Sequence, residues 1–219
     1  MDKHLRKQII DNFIAVATKD ENRAELFDTK DGVATTELLN SYRIILRSRK
    51  MDELFKKVVR SVKEKKSQGF LYFLHQVDHS GVAYPLYLGI ARLKGKSNEI
   101  SSLFKRDCPR WEYNRSGGYH LSNLNSVVFS EGYTKQNFNK YKGIYVEWAK
   151  EIFTRADFPI KQGEQLLLRM PLYLSLIEWG EHQKSFVEAL GNTTIKCEES
   201  ILINLLNDFY PEKLLNKDI

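Results

Sequence analysis

Four residue types that together can cleave a phosphodiester bond occur in order along this chain. Tyr72 and Tyr87 each lie near the middle of a short aromatic segment, a basic segment containing arginine and histidine follows, and Glu199 comes late in the sequence. Hydrolysis of a phosphodiester needs a deprotonated water, positive charge near the phosphoryl oxygens and help for the leaving oxygen. Because these side chains can supply such functions between them, the pattern predicts phosphodiester chemistry.

Each of these residue types has a specific chemical use. Glu199 offers a hard oxygen ligand for one Mg²⁺ (or Mn²⁺) ion, which takes the rest of its ligands from water and phosphate. The hydroxyl groups of Tyr72 and Tyr87 can orient or deprotonate the attacking water, but an ordinary tyrosine pKa of about 10 makes a nearby cation necessary for deprotonation. His120 titrates near neutrality and is the alternative base or proton shuttle.

The basic segment offers several cations whose roles the sequence leaves open. A guanidinium can bind two phosphate oxygens at once and stays protonated. Arg106, Arg110 and Arg115 are the candidates for this role. Lys94 and Lys96, shortly after the second tyrosine, are further candidates for binding phosphate or for lowering a tyrosine pKa.

Secondary-structure signals place the candidate residues on a small sheet and its flanking helices. Two strand-like segments, residues 69–74 and 85–90, are separated by the polar turn 78–81 and predict a β-hairpin. The other predicted elements are helices over 3–18, 36–66 (with a second N-cap at Asp52), 122–129, 135–154 and 196–209, the last ended by Pro211, and a third strand over 172–179. The chain is therefore predicted to be α+β with a small, mainly antiparallel, three-stranded sheet.

Composition bounds the class of protein and its compartment. The 219 residues are 42% hydrophobic and 28% charged, which predicts a folded protein with an ordinary core. The net charge of +6 is compatible with a polyanionic partner without requiring one. Cys108 and Cys197 lie too far apart for a zinc-type pair, and neither a signal peptide nor a membrane-spanning apolar run is evident. These features predict a cytoplasmic protein that does not enter a membrane.

The ordered set of motifs resembles the GIY-YIG nuclease superfamily, which is named for two tripeptides on neighbouring strands. Leu71-Tyr72 is similar to the end of the first tripeptide, although Gly69 stands one position early, and Tyr87-Leu88-Gly89 is similar to the second. The segment from Glu199 to Ile203 fits the glutamate helix of the family, and the segment from Pro211 to Asn216 fits its terminal element. The resemblance thus covers the chain from the hairpin almost to its end.

The resemblance implies a stand-alone, Mg²⁺-dependent DNA endonuclease of the restriction or phage-defence type. Glu199 would be the metal ligand, and Arg110 is favoured over Arg115 because Arg110-Trp111 resembles the arginine–aromatic step that precedes the histidine in the family. The residues predicted to be catalytic are Tyr72, Tyr87, Arg110, His120, Glu199 and Asn216. The residues predicted to bind substrate are Arg115, Lys94 and Lys96.

The resemblance also implies a division of the chain into two parts and a binding partner. Residues 1–66 are predicted to be an N-terminal helical extension, and residues 67–219 a GIY-YIG-like nuclease domain with an insertion around 130–170. Double-stranded DNA is the expected partner, and symmetric cutting of a duplex would favour a homodimer. Two alternatives stay open. One is an inactive nucleic-acid-binding module on the same fold, which the early position of Gly69 favours; the other is a structure-selective DNA-repair nuclease that acts with a partner protein.

Overall fold

A computed structural model describes residues 1–39, 42–95, 99–101, 104, 124, 127–129, 145–155, 157–161 and 163–216. The described elements, in chain order, are α1 (Lys3–Ala17), β1 (Arg23–Glu25), β2 (Thr29–Lys30), β3 (Val33–Ala34), β4 (Thr36–Leu39), β5 (Tyr42–Ile45), α2 (Arg49–Lys65), β6 (Gly69–Val77), β7 (Ala83–Arg92), β8 (Leu172–Trp179), a short 3₁₀ helix (Glu188–Leu190) and α3 (Ile195–Phe209). Among these residues, no helix combines the length and apolar character that crossing a membrane requires.

Within the described residues, the main sheet has four strands in the order β1-β8-β6-β7. Strands β6 and β7 form the predicted antiparallel hairpin. On the other side of β8, the Leu26 amide donates to the Leu172 carbonyl and the Leu176 amide donates to the Asn22 carbonyl, both at 2.8 Å, so β1 also runs antiparallel. The α+β class is confirmed, but the prediction of three strands is wrong. The fourth strand, β1, has only three residues and is too short to show an alternating pattern.

Helices cover both faces of the β6–β7 hairpin. Leu71, Phe73 and Leu88 pack in one apolar cluster with residues of α1 and α3. Side chains alternate along a strand, so Phe70 projects from the opposite face. There it meets Phe55 of α2 edge to face, with ring centroids 5.7 Å apart. The sheet is therefore layered between α1 and α3 on one side and α2 on the other.

The helix predictions at both ends of the chain are confirmed, and one between them is wrong. Helices α1 and α3 and strand β8 lie where the sequence predicts them. The helix predicted over 36–66 begins only at Arg49, and Asp52 lies in its first turn instead of capping a second helix. Residues 36–39 and 42–45 are paired strands instead. Over such short stretches, pairs of adjacent apolar residues are compatible with both a helix and a hairpin. Here the hydrogen-bonded pairing of the two strands favours the hairpin.

Contacts divide the chain into two compact units. The first comprises residues 1–24, 50–109 and 173–219 and contains α1, α2, α3 and the β6–β7 hairpin. The second comprises residues 25–49 and 110–172 and contains the two small hairpins β2–β3 and β4–β5. In the second unit, the described residues 124, 127–129 and 145–152 are helical and lie within the ranges where the sequence predicts helices. All candidate site residues that the structure describes lie in the first unit.

His75, on β6, is a histidine that the sheet keeps neutral. Its side chain is fully buried. The ring is stacked on Phe73 at a centroid distance of 4.9 Å and on Tyr173 at 5.7 Å. Burial lowers the pKa of His75 to about 4, a hydrogen bond to the Phe73 carbonyl opposes this shift, and the positive charge of Arg23 adds to it. The imidazole is therefore uncharged in the folded protein at any pH well above 4.

We expect the free energy of unfolding to fall by about 2 kcal/mol when the pH is lowered from about 7.5 to about 5, because of His75. In the unfolded chain this histidine binds a proton below its ordinary pKa of 6.5, whereas the folded protein resists protonation down to about 4. The substitution His75→Phe keeps a stacking ring and should remove this part of the pH dependence. Urea unfolding of both proteins at the two pH values tests this, and an equal acid sensitivity would contradict it.

Candidate active site

Tyr72 and Tyr87 lie on neighbouring strands with their rings against each other. In the hairpin register, Tyr72 is opposite Gly89 and Tyr87 is opposite Leu74. The two rings are stacked, with centroids 5.9 Å apart and planes inclined by 23°. Both side chains are half-buried and lie on the sheet face that α2 partly covers. The prediction that they occupy neighbouring strands is confirmed; their predicted shared cleft with Arg110 or Arg115 lies outside the described residues.

Gly89 is the residue that lets the Tyr72 ring lie across β7. A Cβ atom built on Gly89 would be 2.4 Å from both Cζ and Oη of Tyr72, much closer than two such atoms can approach. No side chain fits there unless the phenol ring moves away. Residue 89 must therefore be glycine for the Tyr72 ring to keep this position, in which the Tyr72 hydroxyl lies over the outer strand of the sheet.

Gly69, which stands one position early in the first motif, also has a structural reason. Its φ of 153° lies in a region that side chains disfavour, and an added Cβ would be 2.0 Å from the Ala91 carbonyl oxygen. The start of β6 and the end of β7 approach each other closely at this point. Glycine is needed at position 69 itself, so its early position is explained by strand pairing.

The outer edge of β7 is covered by the C-terminal segment. Among the described strands β7 is the last of the sheet, so its outward backbone groups have no partner in a neighbouring described strand. The Asn216 side chain takes the place of a strand there: its Nδ2 donates to the Leu88 carbonyl at 2.7 Å and its Oδ1 accepts from the Leu88 amide at 2.9 Å. The Leu215 amide donates to the Leu86 carbonyl at 2.7 Å. The Asn216 amide group is thus bonded to β7 through both its polar atoms, which positions the strand.

Glu199 of α3 contacts the same edge of β7 two residues further on, at the backbone amide of Ile90. Its side chain is half-buried. Burial raises the pKa of the Glu199 carboxyl, and the backbone amide of Ile90 and the positive charges of Arg92 and Lys196 only partly oppose this. Ile90 directly follows Gly89, over which the Tyr72 hydroxyl lies. A desolvated carboxylate with incomplete compensation is typical of functional positions, because a structural carboxylate is normally stabilised by its partners.

The neighbouring glutamate shows what a structural carboxylate looks like in this helix. Glu198 is fully buried. Its Oε1 accepts from the Phe186 amide at 3.0 Å, and its Oε2 accepts from the Thr193 hydroxyl at 2.8 Å. Helix α3 starts beside it, with Thr194 as the N-cap that accepts from the Cys197 amide. Glu198 therefore stabilises the entry into α3, while Glu199 is turned toward β7.

Two cations near Glu199 were not predicted as site residues. Arg92 is the last residue of β7 and is exposed, and it lies on the same strand face as Ile90. Lys196 precedes Glu199 by three positions on α3, a spacing that puts both on one helix face. Two signals in the sequence point to them: strand alternation after Gly89 and the i,i+3 spacing before Glu199. Together they flank the carboxylate with positive charge that can attract a phosphate group.

The remaining predicted residues fall in two groups. Lys94 is described and exposed, two residues beyond β7, with its backbone paired to Ile100. Arg110, Arg115, His120 and Lys96 lie outside the described residues.

The predicted magnesium site depends on one carboxylate. In the described part of the chain, no group of three or more His, Cys, Asp and Glu side chains is arranged to hold a metal ion. Mg²⁺ differs from most protein-bound metals because it keeps several waters and is often bound by only one or two carboxylates together with substrate phosphates. The half-buried, incompletely compensated carboxylate of Glu199 fits that requirement.

Comparisons of the chain with protein-family models, with curated proteins and with solved structures find no match. The resemblance to GIY-YIG nucleases therefore stays a prediction from the motifs. The features of the structure that bear on function are the tyrosine pair, the edge of β7 and the charges around Glu199.

Proposed function

We propose that this protein is a Mg²⁺-dependent endonuclease that hydrolyses phosphodiester bonds of DNA on a GIY-YIG-like fold. The observation that carries the proposal is the meeting of two groups at the edge of β7. The Tyr72 hydroxyl lies over Gly89 from one face of the sheet, and Glu199 reaches the adjacent residue, Ile90, from the other. Both side chains therefore reach the Gly89–Ile90 step of β7, next to the part of the edge that Asn216 covers, and a phosphate group placed at this step can contact both.

We assign a role to each of the four residues near the edge of β7 from its position and chemistry. Glu199 would hold the metal ion, which supplies positive charge to the phosphoryl oxygens when bound. The Tyr72 hydroxyl orients the attacking water, and positive charge nearby favours its deprotonation. Tyr87 stacks against Tyr72 and holds its ring in place. Arg92 binds phosphate oxygens through its guanidinium, which carries a fixed charge.

Within this class, a restriction or phage-defence enzyme that acts on double-stranded DNA is the proposal that the motifs favour. Arg110 is proposed as the arginine at the scissile phosphate, Arg115 as a further phosphate contact and His120 as the alternative base. A homodimer would supply the two active sites that symmetric cutting needs. Single-turnover rates of Arg110→Ala and Arg115→Ala rank the two arginines, because only the residue at the scissile phosphate should affect the chemical step strongly.

The first alternative is a binding module without chemistry, which the early position of Gly69 favours. Close approach to Ala91 gives the glycine at position 69 a structural reason that holds for a nuclease and for a binding module alike. The half-buried carboxylate of Glu199 has no use in a module that only binds nucleic acid, because a buried negative charge weakens the binding of a polyanion.

Incubation of supercoiled plasmid with the protein tests the proposal, with Mg²⁺ in one series and EDTA in the other. We expect nicked or linear plasmid only in the Mg²⁺ series. Defined duplex, single-stranded and branched substrates, followed by sequencing of the product ends, then identify the substrate. Binding of these DNA substrates without cleavage in the presence of Mg²⁺ would overturn the nuclease proposal in favour of a binding module. Cleavage of branched DNA alone would favour a repair nuclease.

A further inference from the structure

Helix α2, together with Lys66 that follows it, carries most of the net charge of the chain. Residues 49–66 contain eight Lys and Arg residues against three Asp and Glu residues, a net charge of +5, whereas the whole chain carries +6. The apolar residues of the helix are buried: Met51, Leu54, Phe55, Val58, Val59 and Val62. The positive charge is therefore concentrated on the opposite, solvent-facing side of one helix, and the rest of the chain is close to neutral.

The centre of this surface is formed by Lys56, Lys57 and Arg60, which are all exposed. No salt bridge between described residues involves any of the three. Lys56 and Arg60 lie about one helical turn apart, roughly 6 Å along the helix axis, a distance that matches neighbouring phosphates of a nucleic-acid strand. The exposed acidic residues of the helix, Glu53 and Glu64, lie on either side of this group. We call Lys56, Lys57 and Arg60 the α2 basic surface.

The end of α2 is fixed to the sheet by a polar cluster. Glu178 of β8 accepts hydrogen bonds from the Ser61 hydroxyl at 2.6 Å, the Ser67 hydroxyl at 2.5 Å and the Lys65 ammonium at 3.1 Å. Burial raises the pKa of Glu178, but these bonds outweigh it and the pKa is lowered overall. Lys65 is thus engaged in holding the helix, which keeps the α2 basic surface in a constant position relative to the sheet.

The α2 basic surface belongs to the helix that flanks the face bearing both tyrosines. Phe55 of α2 packs on Phe70 of β6 with ring centroids 5.7 Å apart. Tyr72 is two residues further along β6 and therefore projects from the same face. A polyanion that contacts α2 is thereby brought to the tyrosine side of the hairpin.

We propose that the α2 basic surface binds the phosphate backbone of the DNA duplex that the active site cleaves. The inference rests on the proposed function, and it assigns substrate binding to a helix outside the motifs. Charge complementarity favours a phosphate backbone, because three cations within two helical turns match a dense linear array of negative charge. An anionic membrane surface is a poorer partner, because the apolar face that would enter the lipid is already buried against the sheet.

The test compares the triple variant K56A/K57A/R60A with a control that loses the same charge elsewhere. The control is K3A/K19A/K184A, whose three lysines are exposed and lie outside α2. The dissociation constant of a short random-sequence DNA duplex is measured over a range of salt concentrations, with EDTA present to prevent cleavage. For the α2 triple variant, we expect affinity to fall at least tenfold at moderate salt, and the slope of log K against log salt to become shallower by about 2 to 3. The control should behave like the wild-type protein.

The outcomes separate this inference from the nuclease proposal. Plasmid cleavage by the wild-type protein together with an unchanged salt slope in K56A/K57A/R60A would overturn the inference alone. Binding that depends on α2 without any cleavage would support the inference and overturn the nuclease proposal. If anionic vesicles bind through the same residues and the DNA duplex does not, phosphate-backbone recognition is excluded. Circular dichroism of both triple variants checks that exposed-residue changes leave the fold intact.

Discussion

The substitution Glu199→Gln is expected to abolish Mg²⁺-dependent cleavage, with a rate loss of about 10³-fold or more, while the protein folds normally. The loss follows because a neutral amide is a poor ligand for Mg²⁺ compared with a carboxylate. Folding should not suffer, because burial raises the pKa of Glu199 and the charged form is therefore disfavoured in the folded state. Glutamine has the same shape without the charge.

The sign of the stability effect gives this prediction a second readout. A carboxyl whose pKa is raised on folding makes the folded state less stable once the pH is above the ordinary glutamate range. Glu199→Gln removes that contribution, so the free energy of unfolding should be equal to or higher than wild type at neutral pH. The difference should disappear in acid, where both states carry a protonated carboxyl. Urea unfolding at neutral and acidic pH measures it.

The adjacent glutamate provides the matched control. Glu198→Gln makes the same chemical change, but it disturbs the bonds that Glu198 accepts from the Phe186 amide and the Thr193 hydroxyl. We expect a loss of about 1–3 kcal/mol in stability and a nearly unchanged single-turnover rate for the folded molecules. Full activity of Glu199→Gln would remove this residue from the site, and a larger rate loss for Glu198→Gln would exchange the two assignments.

The substitution Arg92→Ala is expected to lower the single-turnover rate of cleavage by about 10² to 10³, the scale found when a positioned charge is removed from a developing negative charge. Arg92 is exposed at the end of β7, so the stability change should stay within about 0.5 kcal/mol. Arg92→Lys keeps the charge but loses the forked geometry that binds two oxygens, and an intermediate rate is expected.

A pH profile distinguishes this role from a general effect of charge. The positive charge of Arg92 lowers the pKa of Glu199, so its removal should raise that pKa further and move the acidic limb of the rate profile to higher pH. Arg6→Ala is a suitable control, because Arg6 is a partly exposed arginine of α1 that pairs with Asp208, outside the β7 edge. An unchanged rate and an unchanged profile in Arg92→Ala would show that Arg92 does not act at the site.

Local sequence patterns were sufficient to predict the helices and strands whose apolar residues recur with a clear period. The 15-residue helices α1 and α3 each show a continuous apolar stripe, and the β6–β7 hairpin shows two aromatic segments around a polar turn. The turn is held by Asp78, which accepts from the Ser80 amide and hydroxyl and from the Val82 amide, all residues within four positions. Such contacts are local and are therefore readable in the sequence. The helix predicted over residues 36–45 was wrong, because these residues form a hairpin that depends on pairing between two strands. Strands of four residues are too short for this pairing to produce a recognisable sequence pattern.

The sequence by itself determined which residue types are present for phosphodiester chemistry, and it placed Tyr72 and Tyr87 on the two neighbouring strands of one hairpin. Only the tertiary structure decided what surrounds the candidate carboxylate. It separates the buried, fully bonded Glu198 from the half-buried Glu199, and it adds Arg92 beside Glu199. It also shows that the Asn216 side chain bonds to β7 through both its polar atoms. The physical reason is distance along the chain: the contacts of Glu199 and Asn216 join the edge of β7 to residues more than 100 positions later, and no local periodicity records such a pairing.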